Sequence, residues 1–230
     1  MARAALTAGG KRGLILVSPP FLYALLLLAV PLATILLFSF WTQDYLDIDT
    51  RFTIANYVEA FGDPLYMQLL RRSLLIAGAV TLVTVVLAFP IAYFVSFHVA
   101  PARKSLWLFL ITIPFWTSYL IRVFLWKVIL GYNGVLNSSL LGVGLIDEPL
   151  SVILYNANAV VITLAHAFAP FAILPIFVAL EKIDRSLLEA SMDLGETRVT
   201  TFLRVTLPLA MPGVVAAVLI VFIPTIGDYV

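Results

Sequence analysis

Asp228 stands beside Tyr229 in a long apolar run, a setting in which a carboxylate is suited to holding a cation. A positive group taken out of water gains from an anion and from aromatic faces, and Trp116, Tyr119 and Tyr229 can supply the faces. Arg122 and Lys127 are the other charges set within apolar runs. Ionisable groups at membrane depth usually face a bundle interior or a water-filled path. Arg122 is deep enough to be either a structural pair or part of a solute pathway. Lys127 lies near the outer end of its run, where snorkelling accounts for it. Each aromatic also has a second reading, as packing or as part of an interfacial belt.

Catalytic chemistry finds little support. There is no cysteine, which removes thiol catalysis and thiolate-held metals. His98 and His166 are far apart in sequence, with no acid at metal-ligand spacing. His98 falls at a membrane edge, and His166 falls mid-span, as a hydrogen-bond partner for a neighbouring helix or a pathway residue. No G-x-x-x-x-G-K-[ST], H-E-x-x-H or G-x-S-x-G pattern occurs. The chain is therefore expected to be no enzyme and to need no metal or cofactor. Any energy coupling must come from another subunit. A net charge of +1 gives no reason to expect nucleic acid.

The elements that must position these groups are membrane spans. Hydrophobic residues make up 62% of the chain and charged ones 12%, and mean hydropathy is +1.06. The apolar residues come in runs long enough to cross ~30 Å of hydrocarbon as helices. The class is an all-α, polytopic membrane bundle in contact with lipid. One transmembrane domain covers 1–230, with spans at about 14–40, 73–97, 106–130, 152–180 and 213–230. The first run is too long for a signal peptide's apolar core and reads as an uncleaved span. The last run carries Pro224, Gly227 and Asp228 and has no polar tail. A chain cut short inside its fifth span, with a sixth missing, is the expectation.

Lys and Arg near span ends are retained on the cytoplasmic side. With the N-terminus inside, nine such residues lie inside (Arg3, Lys11, Arg12, Arg103, Lys104, Lys182, Arg185, Arg198 and Arg204). Three lie outside: Arg51, Arg71 and Arg72. The N-terminus is thus read as cytoplasmic, and so is the polar island at 181–212.

That island reads as a helical hairpin. Ser186-Leu187-Leu188-Glu189 fits a capping box, and Gly195 suits a left-handed helix end. A second helical stretch over 197–205 would put Val199, Phe202 and Leu203 on one side, and Pro208 and Pro212 would break the chain before the next span. Leu187, Leu188 and Met192 would be available to a partner's groove. A helix lying on lipid headgroups favours Lys and Arg on its polar face. Here Glu181, Asp184, Glu189, Asp193 and Glu196 balance Lys182, Arg185, Arg198 and Arg204, which points to a protein partner.

Glu189-Ala190-Ser191, Gly195 and Val205-Thr206-Leu207-Pro208 resemble the E-A-A-x3-G-x9-I-x-L-P signature. That signature belongs to permease subunits of binding-protein-dependent (type I) ABC importers. Ser191 for the second Ala and Val205 for Ile are the departures. Residues 114–122 (PFWTSYLIR) and 221–230 (VFIPTIGDYV) resemble the spermidine/putrescine branch, whose permeases usually have six spans. The resemblance implies a second permease subunit, cytoplasmic ABC ATPase subunits and an extracytoplasmic solute-binding protein as partners. It also implies that Leu187, Leu188, Glu189, Ala190, Ser191, Met192 and Gly195 carry ATPase coupling. In that role Gly195 permits the turn, Ala190 permits close approach, and Glu189 caps or pairs. Trp116, Tyr119, Arg122, Asp228 and Tyr229 remain the candidate pathway residues. Importers of iron, thiosulfate or a phosphonate share the hairpin, and a channel or structural bundle with a docking hairpin is the reading from another class.

Overall fold

An apolar segment in lipid must satisfy every backbone N–H and C=O within itself, so each long run here becomes a helix. The computed structural model describes residues 8–228. Among the described residues, four helices are long and apolar enough to cross a membrane, and a bent pair makes a fifth crossing if counted as one span. The chain divides into two compact units, 1–69 and 70–230.

In the first unit, α1 (Ala8–Phe38) runs through Pro19, Pro20 and Pro31 without interruption. A small antiparallel ladder follows, β1 (Thr42–Asp44) on β2 (Asp47–Asp49), with Asp44 opposite Asp47. The all-α expectation had no place for this hairpin. Its two-residue turn forces Tyr45 to φ +52°, an uncommon conformation for a bulky side chain. Helix α2 (Ala55–Gly62) is tied to the end of α1 by Asn56, whose Nδ2 donates to the carbonyls of Ser39 (3.0 Å) and Trp41 (2.8 Å).

The second unit holds the core. Helix α3 (Pro64–Phe97) buries Ala77, Val80, Thr81, Thr84, Ala88, Ala92, Val95 and Ser96 along one stripe, flanked by half-buried residues such as Ile76, Val85, Phe89 and Tyr93. Charge is a poor guide to where this helix begins: it includes Arg71 and Arg72, which bounded the second span as read from sequence. Helix α7 (Ala157–Glu181) starts on Asn156, whose side chain accepts from the amides of Asn158 and Ala159. It packs most extensively on α10 (Leu207–Ile226). Gly213 makes that approach possible, because a Cβ there would lie 2.5 Å from the Ala179 Cβ and 2.6 Å from the Pro175 carbonyl. Small residues at a crossing let backbones approach and gain dispersion where lipid supplies no hydrophobic drive.

The third apolar run is not one straight span. Helix α4 (Pro101–Thr112) tightens into a 3₁₀ turn over Ile113–Trp116, and α5 (Tyr119–Ile129) leaves at 86°. Pro114, which lacks an N–H, sits inside the 3₁₀ turn, and the break falls just after it, where Thr117 and Ser118 take extended backbone (ψ 145° and 136°). Between α5 and α7, α6 (Val135–Gly142) is pinned by Asn137, fully buried, whose amide donates to Gly131 O and whose carbonyl accepts from Leu150 N.

Candidate functional site

The polar island folds as two arms. Helix α8 (Arg185–Asp193) begins on Asp184, not on Ser186. The Asp184 carboxylate accepts from Ser186 N at 3.0 Å. A carboxylate accepts an amide better than a hydroxyl does and sits favourably at the positive end of the helix dipole, so the cap moves two residues upstream of the expected capping box. The Ser186 amide also holds the Asp184 carboxyl below its usual range. The cap's contribution is therefore complete above the ordinary carboxylate range and is lost only as pH falls through that lowered value.

At the far end of α8, Gly195 takes φ +88°, the left-handed conformation expected of it. Glu196 N bonds Ser191 O at 3.2 Å and Gly195 N bonds Met192 O at 2.9 Å. The pair is a Schellman closure, which satisfies the last carbonyls of the helix. Across the turn, Ser191 Oγ and Thr201 Oγ1 lie 3.0 Å apart, and Arg204 donates to Glu196 at 2.7 Å. The hydroxyl by which Ser191 departs from the signature's alanine thus joins the two arms.

Leu187, Met192 and Leu194 are exposed, Leu194 to 86%, and Glu189, Ala190 and Gly195 share the open surface. Leu188 corrects an expectation, since it turns inward and packs on the core. Residues 185, 188 and 191 recur at helical spacing on the inner side, so Leu188 and Leu187 cannot both face a partner. Phe202 likewise points inward, edge-on to Phe89 and Tyr93, whereas Val199 and Leu203 stay exposed.

The second arm corrects another expectation. Helix α9 (Arg198–Thr201), capped by Thr197, passes through a π-helical turn (Phe202–Thr206) directly into α10. Residues Arg198–Ile226 are one continuous helix of 29 residues. Pro208 does not break it, because the wider turn (Leu207 N to Phe202 O) re-pairs backbone groups that a proline would otherwise orphan.

The other candidates are scattered by comparison. Tyr119 and Asp228 come together, with the phenol donating to the carboxylate at 2.5 Å. Trp116 is 80% exposed, and Tyr229 lies outside the described residues. Arg122 is buried at the bend of the broken span. Its guanidinium donates to the carbonyls of Pro114 (2.5 Å), Thr117 (3.0 Å) and, from α7, Ala167 (3.2 Å). His166 accepts from Trp126 Nε1 at 3.1 Å, joining α7 to α5. Lys127 borders a cleft of about 290 Å³ between those helices, with Tyr155 and Asn156 at its rim.

One cluster escaped the sequence reading. Glu181 Oε1 accepts from Lys104 Nζ and Ser96 Oγ, each at 2.6 Å, and Arg185 donates to the Ser96 carbonyl at 3.0 Å. The i,i+4 spacing of Glu181 and Arg185 was a local signal. Ser96 and Lys104 are remote in sequence and gave none.

Residues 65–230 match the family described as "Binding-protein-dependent transport system inner membrane component". The chain is 39% identical over 210 residues to the spermidine/putrescine transport system permease protein PotB of Haemophilus influenzae, covering 91% of this chain and 72% of that protein. It is 40% identical over 190 residues to PotB of Escherichia coli, covering 82% and 68% respectively. It is 32% identical to the Escherichia coli inner membrane ABC transporter permease protein YdcU over 86% of this chain and 67% of that protein. Among solved structures, a chain of a bacterial alginate ABC transporter, crystallised with its alginate pentasaccharide-bound periplasmic protein, superposes with a TM-score of 0.66. It is 19% identical and covers 89% of this chain and 69% of that one, a likeness of fold. The chain belongs to the inner-membrane components of binding-protein-dependent transport systems, as a multi-pass, non-catalytic permease subunit of an ABC importer in the inner membrane.

Proposed function

We propose that this chain forms half of a polyamine pathway and is driven by cytoplasmic ATPase subunits that grip the hairpin at 181–206. The observation that carries the coupling is mechanical. The exposed rim of Leu187, Met192, Leu194 and Val199 belongs to a hairpin whose second arm continues unbroken into a membrane-spanning helix. A displacement imposed on the second arm is therefore delivered to α10 with no flexible joint between. The excess of Lys and Arg at this end puts it in the cytoplasm. A second permease subunit supplies the other half of the pathway, and an extracytoplasmic binding protein delivers the solute to the opposite face.

The coupling is tested at Gly195. A Cβ at this position would meet nothing within 4 Å, so valine there acts mainly through backbone strain of roughly 1–2 kcal/mol. In the reconstituted complex, Gly195→Val should bring solute-stimulated ATP hydrolysis down to the basal rate while the subunits still co-purify. Stimulation equal to wild type would remove the hairpin from the coupling route.

The polyamine reading is supported by the names of the relatives and by the Tyr119–Asp228 contact, which offers a cation a carboxylate beside an aromatic ring. Asp228→Asn keeps size and shape but removes the charge. A charge-assisted hydrogen bond contributes roughly 1.5–3 kcal/mol, so the KM for spermidine uptake should rise about tenfold or more. An unchanged KM takes Asp228 out of the site.

A further inference from the structure

Two connections join the hairpin to the membrane bundle, and only the second arm's is a continuous helix. The first arm is held by side chains. Glu181 closes α7 and Arg185 opens α8, with Ile183 buried between them. Glu181 gathers Lys104 of α4 and Ser96 of α3 on a single carboxylate oxygen, at 2.6 Å each, with Arg185 a further contact at 3.4 Å. Arg185 reaches back to the Ser96 carbonyl and lies over the Phe97 ring, 3.7 Å from its centroid. The side chains of Lys104 and Glu181 are 17% and 32% exposed, and Ser96 is buried. Exposed ion pairs count for little, but short, charge-assisted bonds to a partly dry carboxylate are stronger and directional. The Arg185 guanidinium also meets the negative end of the α3 dipole and faces an aromatic ring, so it has three reasons to hold one position.

Resting on the coupling reading above, we infer that the Glu181–Lys104–Ser96–Arg185 cluster is a second transmission point. It fixes the first arm of the hairpin to the ends of α3 and α4, so that a push on α8 moves the second and third spans along with the fifth. These are positioning residues, which act through the placement of α8 against α3 and α4. A cap that merely tidied the end of α3 would stabilise the bundle equally in every state. A transmission point must keep α8 and α4 together while the complex cycles.

The chain has no cysteine, so single cysteines report cleanly within it. Spin labels are placed through Asp193→Cys on α8 and Ala102→Cys on α4, in a background that retains transport. In the wild-type cluster the α8–α4 distance should stay constant with and without nucleotide. In Glu181→Gln it should vary with nucleotide, and solute moved per ATP hydrolysed should fall about fivefold or more. Subunit assembly and basal hydrolysis should be kept. Combining Glu181→Gln with Lys104→Met should cost no more than the worse single change, because both act through one contact. If Glu181→Gln prevents assembly, Ser96→Ala, which removes the hydroxyl's two hydrogen bonds and no charge, should give a change in the same direction of about twofold. A distance that varies in the wild type, or a transport-to-hydrolysis ratio within 20% of wild type in both Glu181→Gln and Ser96→Ala, overturns the inference. If polyamine is the wrong solute, the wild-type complex fails to respond to it, yet the nucleotide-dependent distances still decide the role of the cluster.

Discussion

Gly213→Val should separate α7 from α10 and cost on the order of 3 kcal/mol. Even the Cβ of alanine at 213 would lie 2.5 Å from the Ala179 Cβ and 2.6 Å from the Pro175 carbonyl oxygen, and the Ile176 Cα is 3.1 Å away. The Ala179 methyl could yield by a few tenths of an ångström. The Pro175 oxygen and the Ile176 Cα are backbone of a packed helix and cannot move alone. Overpacking of this kind costs about 1–3 kcal/mol, and a β-branched side chain stands at the upper end. The purified permease in detergent should lose on the order of 10 °C of thermal midpoint. The substitution also separates this packing from coupling, since it leaves the hairpin's own caps untouched. Ala179→Gly should recover part of the loss in Gly213→Ala, because it removes one of the two nearest obstacles and leaves the carbonyl. A midpoint within 2 °C of wild type for Gly213→Val would mean that the two helices cross farther apart than described.

Arg122→Ala is expected to be comparably severe, for a different reason. The bend between α4 and α5 exposes carbonyls that no helix pairs, and the Arg122 fork serves those of Pro114 and Thr117 while reaching Ala167 on α7. Pro114 O keeps the Thr117 amide and Oγ1 as donors, and the Ala167 carbonyl lies inside α7, so the Thr117 carbonyl bears most of the loss. An unsatisfied buried carbonyl costs about 1–3 kcal/mol. Truncating a large buried side chain adds a cavity term of similar size, which brings the total to on the order of 4 kcal/mol. Arg122→Lys should recover only part of this, because a single ammonium cannot serve three divergent acceptors as a planar fork does. The check is stability and uptake measured together. Loss of both in parallel identifies a structural clasp, whereas normal stability with altered solute selectivity would put Arg122 on the pathway.

The clasp also explains why the third span could not be read correctly from its residues. Hydropathy over 106–130 is continuous, and a proline inside a membrane helix is often tolerated, as Pro90, Pro170 and Pro175 are here. Whether the chain breaks after the 3₁₀ turn depends on what donates to the carbonyls left at the bend. In this protein the donor is Arg122, with α7 alongside. The hairpin presents the converse case: Pro208 was read as a break and is not one, because a π turn absorbs it.

Sequence alone determined the class, the long apolar helices, the polar hairpin between the last two of them and the left-handed turn at Gly195. Each is set by local chemistry: run length against hydrocarbon thickness, charge against its absence, and one residue without a Cβ. The E-A-S-x3-G spacing added the family. Only the tertiary structure decided which face of the hairpin is open, since Leu187 and Leu188 are adjacent and a helix sends them to different sides. It alone joined Glu181 to Ser96 and Lys104, and Tyr119 to Asp228. Those contacts form between helices remote in sequence, whose packing depends on how closely backbones such as those at Gly213 and Pro175 can approach.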